Sequence, residues 1–396
     1  MTKTPQQNVP ELRFPGFEDE WEESIIGNYF EFKNGLNKEK KYFGKGTPIV
    51  NFKDVFNNRT LTVENIKGKV EVSDTEKKLF EVRKGDLFFT RTSEVITEIG
   101  IPSVMSEEIK DCVFSGFVLR AREFNENVFA IDFKKYVFTT YQFRKEMIKK
   151  SSMTTRALTS GTAIKSMYFK FPTFSEQQKI GTFFSKLDQQ IELEERKLEL
   201  LEQQKKGYMQ KIFSQELRFR DEDGNYYPEW ESKKLKDIAN VYQPQNLSQN
   251  NFQKKGYPVY GANGVIGYYK DFNHSNMEIA VACRGNTCGR VNLTEPKSWI
   301  TSNAMVVNII DKMEIEFYFL YQYLRIINYS NVISGSGQPQ ITRKNMNSVE
   351  LLVPNYIEQQ KIGNLFRRFD DFIEKQSDKV ELLKERKKGF LQKMFV

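Results

Sequence analysis

The chain of 396 residues carries a formal net charge of +8, and 14% of it is aromatic, so it has material for two or three packed domains. Its three cysteines, Cys112, Cys283 and Cys288, exclude a disulfide framework, and polar residues 1–10 lack the apolar run of a secretory signal. A cytoplasmic, reducing setting is the expectation, and the mild basicity fits nucleic acid without requiring it.

Residues 1–11 read as a flexible lead-in. Leu12-Arg13-Phe14-Pro15-Gly16-Phe17, an acidic patch and Trp21 follow, echoed by Leu217-Arg218-Phe219, an acidic patch with Gly224, and Trp230. Each tryptophan precedes a short amphipathic run, Ile25-Ile26-Gly27-Asn28-Tyr29 or Leu235-Lys236-Asp237-Ile238. Both tryptophans are expected to be buried anchors, not ligand sites. Gly46-Thr47-Pro48-Ile49-Val50 then matches Gly256-Tyr257-Pro258-Val259-Tyr260, each a turn leading into a strand. Asp86-Leu87-Phe88-Phe89-Thr90 matches Glu278-Ile279-Ala280-Val281-Ala282, both patterned as buried strands.

Polar loops follow these strands, Arg91-Thr92-Ser93 in one half and Arg284-Gly285-Asn286-Thr287 in the other. Phe117-Val118-Leu119 and Ala304-Met305-Val306-Val307 are the next predicted strands. A helix with Tyr141-Gln142-Phe143 is paired with one carrying Tyr321-Gln322-Tyr323. The loops at Ser160-Gly161 and at Ser334-Gly335-Ser336-Gly337-Gln338 are paired likewise. Phe169-Lys170-Phe171-Pro172 and Leu351-Leu352-Val353-Pro354 then lead into two long helices. The order of elements is shared while the loops differ, so one scaffold is used twice with two different surfaces.

The repeat is strongest in those helices. Glu176-Gln177-Gln178-Lys179-Ile180-Gly181 returns as Glu358-Gln359-Gln360-Lys361-Ile362-Gly363, and the copies align without a gap over roughly 38 positions, about half identical. Ile180, Phe184, Leu187, Ile191, Leu198, Leu201, Tyr208 and Ile212 step by fours and threes. Ile362, Phe366, Phe369, Ile373, Val380, Leu383, Phe390 and Met394 follow in the same phase. This is the spacing of a coiled-coil seam, and two seams in one phase suit pairing with each other. Glu194 with Gln376, and Lys205 with Lys387, interrupt the seams at matching places and can set register. Each helix reaches about 55 Å at the α-helical rise, and neither has an apolar run long enough to span a bilayer.

Catalytic patterns are missing. The chain has no Walker-type phosphate loop, no strand-linked dinucleotide fingerprint and no nucleophile elbow. Gly261-Ala262-Asn263-Gly264-Val265-Ile266-Gly267 is glycine-rich, but no helix pattern follows it. His274 is the single histidine, and Cys283 with Cys288 lacks the ligand count of a closed zinc site. The two cysteines read as small residues at a strand end. What remains is a binding surface. Arginine can bond two acceptors on guanine, and Asn or Gln can do so on adenine. The candidate readers are Arg91, Thr92 and Ser93 in the first half and Asn263, Arg284, Asn286, Thr287, Arg290, Gln338 and Gln340 in the second. Lys53, Lys149 and Lys150 are candidates for phosphate contact, which adds affinity without sequence information. For any one of these residues, a solvated side chain or a strand-end hydrogen bond is the competing explanation.

The doubled Glu-Gln-Gln-Lys-Ile-Gly helices, each following a proline at 172 or 354, resemble the specificity subunit of type I restriction–modification systems. So do the Leu-Arg-Phe…Trp segments and the Gly85-Asp86-Leu87-Phe88-Phe89-Thr90-Arg91 strand. The resemblance implies a mixed α/β (α+β) chain with a pseudo-two-fold internal repeat, in which two similar target-recognition domains are separated by two long antiparallel coiled-coil helices. It divides the sequence into a lead-in (1–21), a first target-recognition domain (22–172), a central helix (173–216), a second domain (217–354) and a C-terminal helix (355–396). It implies that each domain reads one half of a split, asymmetric site in double-stranded DNA. The helices set the spacer and dock two methyltransferase subunits that bind S-adenosylmethionine. Two motor–nuclease subunits using ATP and Mg²⁺ complete the assembly, with no cofactor or membrane contact in this chain. The competing readings are a self-sufficient DNA methyltransferase or nuclease with degenerate motifs, which would modify or cut DNA unaided, and a protein-joining scaffold indifferent to DNA sequence.

Overall fold

A computed structural model describes residues 8–335 and 337–396, so residues 1–7 of the expected lead-in and Ser336 lie outside it. The chain divides into two units. The first comprises residues 1–195 and 379–396, and the second comprises residues 196–378. Each unit therefore holds a globular region and part of each long helix, Phe174–Phe213 and Tyr356–Lys393.

In the first unit the main sheet runs Phe30–Asn34, Val118–Glu123, Leu87–Thr90, Pro102–Met105, Thr60–Leu61. All neighbours are antiparallel except the last pair. Leu87-Phe88-Phe89-Thr90 is buried at every residue. An uninterrupted apolar run is what a strand covered on both faces requires. Strand Phe43–Val50 lies outside this sheet, antiparallel to Lys69–Val70 and parallel to Val113–Phe114.

The second unit repeats the plan with one strand fewer: Ala239–Tyr242, Ala304–Ile309, Ile279–Ala282, Val291–Leu293. Its strand Tyr257–Gly261 is antiparallel to Gly264–Tyr269 and parallel to Trp299–Ile300. The glycine-rich stretch at 261–267 is thus a β-hairpin. The expected matches between strands hold, and the matched strands Tyr168–Phe171 and Glu350–Val353 each pair antiparallel with the strand that opens their unit, Glu22–Ile25 and Glu231–Lys234.

Two matches made on letters alone are corrected. Helix Phe317–Ile326, which carries Tyr321-Gln322-Tyr323, corresponds to Ile131–Val137 and not to Tyr141–Lys150. Packing decides this. The Gln177 amide oxygen accepts from Ala130 N at 3.0 Å, and Gln359 accepts from Glu316 N at 2.9 Å, one residue before each helix. Ser160-Gly161 likewise corresponds to Thr342-Arg343: Ser160 and Thr342 cap the short helices Gly161–Lys165 and Arg343–Asn347 through Ala163 N and Asn345 N. Ser334 instead pairs with Gln340 in the hairpin between Ile333–Ser334 and Gln340–Ile341, and Ser336 of that loop lies outside the described residues.

The repeated motif has a physical purpose at each letter. Glu176 pairs with Arg13 at 2.7 Å, and Glu358 pairs with Arg218 at 2.9 Å, both carboxylates essentially buried. The Leu-Arg-Phe echo and the Glu-Gln-Gln echo are therefore two halves of one contact. Gln177 and Gln359 also donate to the carbonyls of Pro172 and Pro354, fixing the turn into each helix. A Cβ on Gly181 would lie 2.6 Å from Phe133 N, and on Gly363 it would lie 2.2 Å from Glu316 Oε2. Gly207 and Gly389 in the same helices meet nothing within 4 Å. Gly181→Ala is therefore expected to destabilise the first unit by about 1–3 kcal/mol through overpacking against backbone. Gly207→Ala is expected to add up to about 1 kcal/mol through helix propensity. Urea midpoints at unchanged m-value measure both, and equal shifts would contradict the packing assigned to Gly181.

The helices run antiparallel within each unit. In the first, Lys387 pairs with Asp188, and Lys379 meets Glu194 at 2.6 Å. In the second, Lys205 meets Asp370 at 2.5 Å and Tyr208 packs on Phe369. Seam residues Ile180, Phe184, Ile191, Ile362, Phe366, Val380 and Leu383 are buried, while Leu187, Leu198, Leu201, Phe369 and Ile373 are half-buried. Tyr208 departs from the pattern: it is exposed, and Met209 takes the buried place beside it. The seam ends also merge with the domain cores, Ile180 and Phe184 with Phe133 and Tyr136, and Ile362 and Phe366 with Phe319 and Leu320.

Trp21 and Trp230 are buried as expected, packing on Phe395 and Phe213 respectively. Among the described residues no helix is long and apolar enough to cross a membrane.

Candidate nucleic-acid interface

In each unit the central strand of the main sheet ends at a place where three chain segments meet. In the second unit the strand Ile279–Ala282 runs on into Cys283 and Arg284. Cys283 N donates to Asn303 O at 3.0 Å, and Ile341 N donates to Cys283 O at 3.0 Å. Arg284 bridges Gln340, and Gly285 N donates to Pro339 O. The loop then folds back, with Gly289 N on Ala282 O and Ala282 N on Arg290 O, both 2.8 Å. Thr287 Oγ1 lies 3.4 Å from Ala262 O, which ties the hairpin tip bearing Asn263 to the same place.

Five sequence candidates, Asn263, Arg284, Asn286, Arg290 and Gln338, are exposed there, and Thr287 and Gln340 are half-exposed. Backbone hydrogen bonds hold most of this cluster in place, leaving guanidinium and amide groups free to meet a ligand. That pre-organisation lowers the ordering cost of binding.

The first unit has the same frame. Arg91 N donates to Phe117 O, and Thr159 N donates to Arg91 O, both 3.1 Å. Register shows that Arg91 stands where Cys283 does and Thr92 where Arg284 does, because Thr90 pairs with Val118 as Ala282 pairs with Ala304. The two arginines that follow the strands are thus one residue out of step. Arg91 is half-buried, its guanidinium 3.4 Å from Gly116 O. Thr92 pairs with Leu158 in a small sheet. Ser93 is buried, its hydroxyl accepting from Val95 N.

Lys53 is exposed on the helix Phe52–Asn57, which packs against strands Leu87–Thr90 and Pro102–Met105. Lys149 and Lys150 are exposed at the end of helix Tyr141–Lys150, and Lys150 donates to Ser166.

Sequence reasoning missed Asn34, Phe117, Gln243 and Asn303, all exposed at these sheet ends. Asn34 and Gln243 are counterparts, since Asn34 pairs with Leu119 and Tyr242 with Val306 in matching strands. Gln243 donates to Ser302 O at 3.2 Å. Asn303 lies one residue before the predicted strand at Ala304 and Phe117 opens the predicted strand Phe117-Val118-Leu119, whereas Asn34 and Gln243 end or follow strands, Phe30–Asn34 and Ala239–Tyr242, that the sequence pattern did not mark.

The groups that suggested chemistry in the sequence are internally satisfied. His274 is buried, its ring nitrogens 3.0 Å from Tyr242 Oη and 2.6 Å from Asn273 Oδ1, and burial lowers its pKa. Burial raises the Cys283 and Cys288 thiols above their ordinary value, which disfavours thiolate chemistry. Among the described residues no cluster of His, Cys, Asp and Glu could hold a metal ion.

A duplicated α/β scaffold thus carries an exposed, backbone-ordered surface at the end of each main sheet. The family model described as the type I restriction modification DNA specificity domain matches residues 18–203 and 227–384, and the chain belongs to that family. It is 26% identical over 147 residues to the type I restriction enzyme EcoprrI specificity subunit of Escherichia coli, a match covering 36% of each chain. Its match to the MjaIX specificity subunit of Methanocaldococcus jannaschii is 21% identical and covers 95% of this chain and 92% of that one. The chain thus spans about a third of the E. coli relative and nearly all of the archaeal one. The fold is that of the crystal structure of a type I restriction–modification S subunit from M. genitalium, at TM-score 0.67 and 16% identity over 98% of this chain and 99% of that one.

Proposed function

We propose that this chain is the DNA sequence-specificity subunit of a type I restriction–modification complex and is not itself an enzyme. Residues 22–172 and 217–354 act as two target-recognition domains, each reading one half of a split, asymmetric site in double-stranded DNA. Residues 173–216 and 355–396 form the helices that set the spacer and dock two methyltransferase subunits. S-adenosylmethionine belongs to those subunits, and ATP and Mg²⁺ belong to two motor–nuclease subunits in the full assembly. A cytoplasmic location follows from DNA as the ligand.

The observation that carries this reading is the contrast between one repeated frame and two unlike sheet ends. Backbone contacts at Arg91 and Cys283 are the same in both units, whereas the exposed side chains around them differ. A frame of that kind suits two readers with different targets. Side chains at the sheet ends would read base edges, and lysines such as Lys53, Lys149 and Lys150 would meet phosphates. Gly207 and Gly389, where an added Cβ would meet nothing within 4 Å among the described residues, offer close backbone approach to a docked subunit.

The test is an exchange. Residues 22–172 are replaced by the matching domain of a relative, and the methylation motif of a host carrying the chimera and its methyltransferase is sequenced. One half of the motif should change and the other should persist. A change in both halves would end the claim that the two domains read independently.

A further inference from the structure

At two register positions the first sheet end carries an exposed apolar side chain where the second carries an amide. Phe117 stands where Asn303 does, each giving its carbonyl to the residue that follows the central strand. Leu158 stands where Gln340 does, paired with Thr92 as Gln340 is bridged to Arg284. Phe117 is 60% exposed and Leu158 is 42% exposed. A single exposed apolar residue needs no explanation. Two of them replacing amides in one register, at a surface otherwise lined by Thr92 and Asn34, do.

The backbone presents Phe117 rigidly. It lies in a tight turn closed by Val118 N on Ser115 O at 3.0 Å. Gly116 N donates to Leu36 O at 2.8 Å, and Phe117 O accepts from Arg91 N. Leu158 is the middle strand's residue in a small sheet, with Ser152 on one side and Thr92 on the other. Neither backbone segment needs to be ordered when a ligand arrives.

The major groove offers one apolar feature on its base edges, the C5-methyl group of thymine, whereas an amide pairs with adenine. We propose that Phe117 and Leu158 read thymine methyl groups in the half-site bound by the first unit, at positions where the second unit reads through the amides of Asn303 and Gln340. This rests on the proposed DNA-reading function and adds the chemistry by which the two half-sites differ.

The assay uses the chain assembled with its methyltransferase subunits, after the motif is known and the exchange of residues 22–172 has assigned its halves. Duplexes carry deoxyuridine in place of each thymine in turn, which removes the methyl group and leaves base pairing unchanged. Binding should weaken about fourfold at one or two positions of the first half-site, the worth of a buried methyl-sized group. Phe117→Ala or Leu158→Ala should abolish that sensitivity while sparing discrimination in the second half-site. A first half-site without thymine, indifference to deoxyuridine, or the same sensitivity in both variants would overturn the proposal. So would variants that keep their base preference but fail to assemble with the methyltransferase, since that would make the patch a protein contact. A wild-type complex that methylates no split site would instead remove the underlying DNA-reading function, and this proposal with it. The deoxyuridine series on wild type stands even where a variant fails to fold.

Discussion

Glu358→Ala should destabilise the second unit by about 3–5 kcal/mol, the loss typical when one partner of a buried ion pair is removed. The Glu358 side chain is fully buried and Arg218 is 9% exposed, with oxygen and guanidinium 2.9 Å apart. Glu358 also accepts from Trp230 Nε1 at 3.2 Å, so truncation strips the indole N–H of this acceptor and leaves Arg218 with the carbonyls of Tyr227 and Pro228 and with Glu229 at 3.4 Å. The hydrogen bond to Glu358 raises the Arg218 pKa, and the truncation removes that contribution together with the carboxylate while the guanidinium stays charged. Urea unfolding should show the fall, and a double variant with Leu in place of both Arg218 and Glu358 should recover much of it. A loss below about 0.5 kcal/mol, the size seen for surface substitutions, would mean that this contact does not anchor the helix.

Arg284→Ala should relax specificity at particular base pairs of the second half-site by about 1–3 kcal/mol, roughly 5- to 150-fold, with little change on random DNA. Arg284 is exposed, its backbone pinned beside Gln340. Arg91→Ala in the first half-site should do less, because that side chain is half-buried and turned toward Gly116 O. Competition binding with target and random duplexes at fixed salt separates the two roles. Equal losses on both DNAs would make Arg284 a phosphate contact that positions the domain.

Most of the frame was legible because it rests on local patterns. The buried run Leu87-Phe88-Phe89-Thr90, the heptad steps from Ile180 and the doubled Glu-Gln-Gln are periodicities or repeats, and each formed the expected element. What was not legible depended on pairing across the chain. Tyr141-Gln142-Phe143 resembles Tyr321-Gln322-Tyr323 in letters, yet the contacts of Gln177 and Gln359, and the approach of Gly181 and Gly363 to neighbouring helices, show which helices correspond. Tyr208 fits the heptad count, but its neighbour Met209 faces the globular core, a third surface that a two-helix pattern does not include.

The candidate site was half-visible for the same reason. Arg284, Asn286 and Gln340 stood out as residue types, whereas the one-residue offset between Arg91 and Arg284 is set by strand register. Sequence alone did not show that Ser93 is buried or that Phe117 occupies the place of Asn303.

The ends of the two long helices have one further consequence. Leu217 N donates to Lys211 O at 2.9 Å, across a covalent turn. Leu12 N donates to Lys393 O at 2.8 Å, the same bond made between segments far apart in sequence. The chain therefore makes one junction twice, once through a peptide link and once through a hydrogen bond. Contacts at that junction do not record which half was synthesised first. A gene with the halves transposed, opened near residue 215 and joined across the other junction, would encode the same neighbours. The difference would lie in the unfolded chain, where loop-closure entropy changes only slowly with the length to be closed.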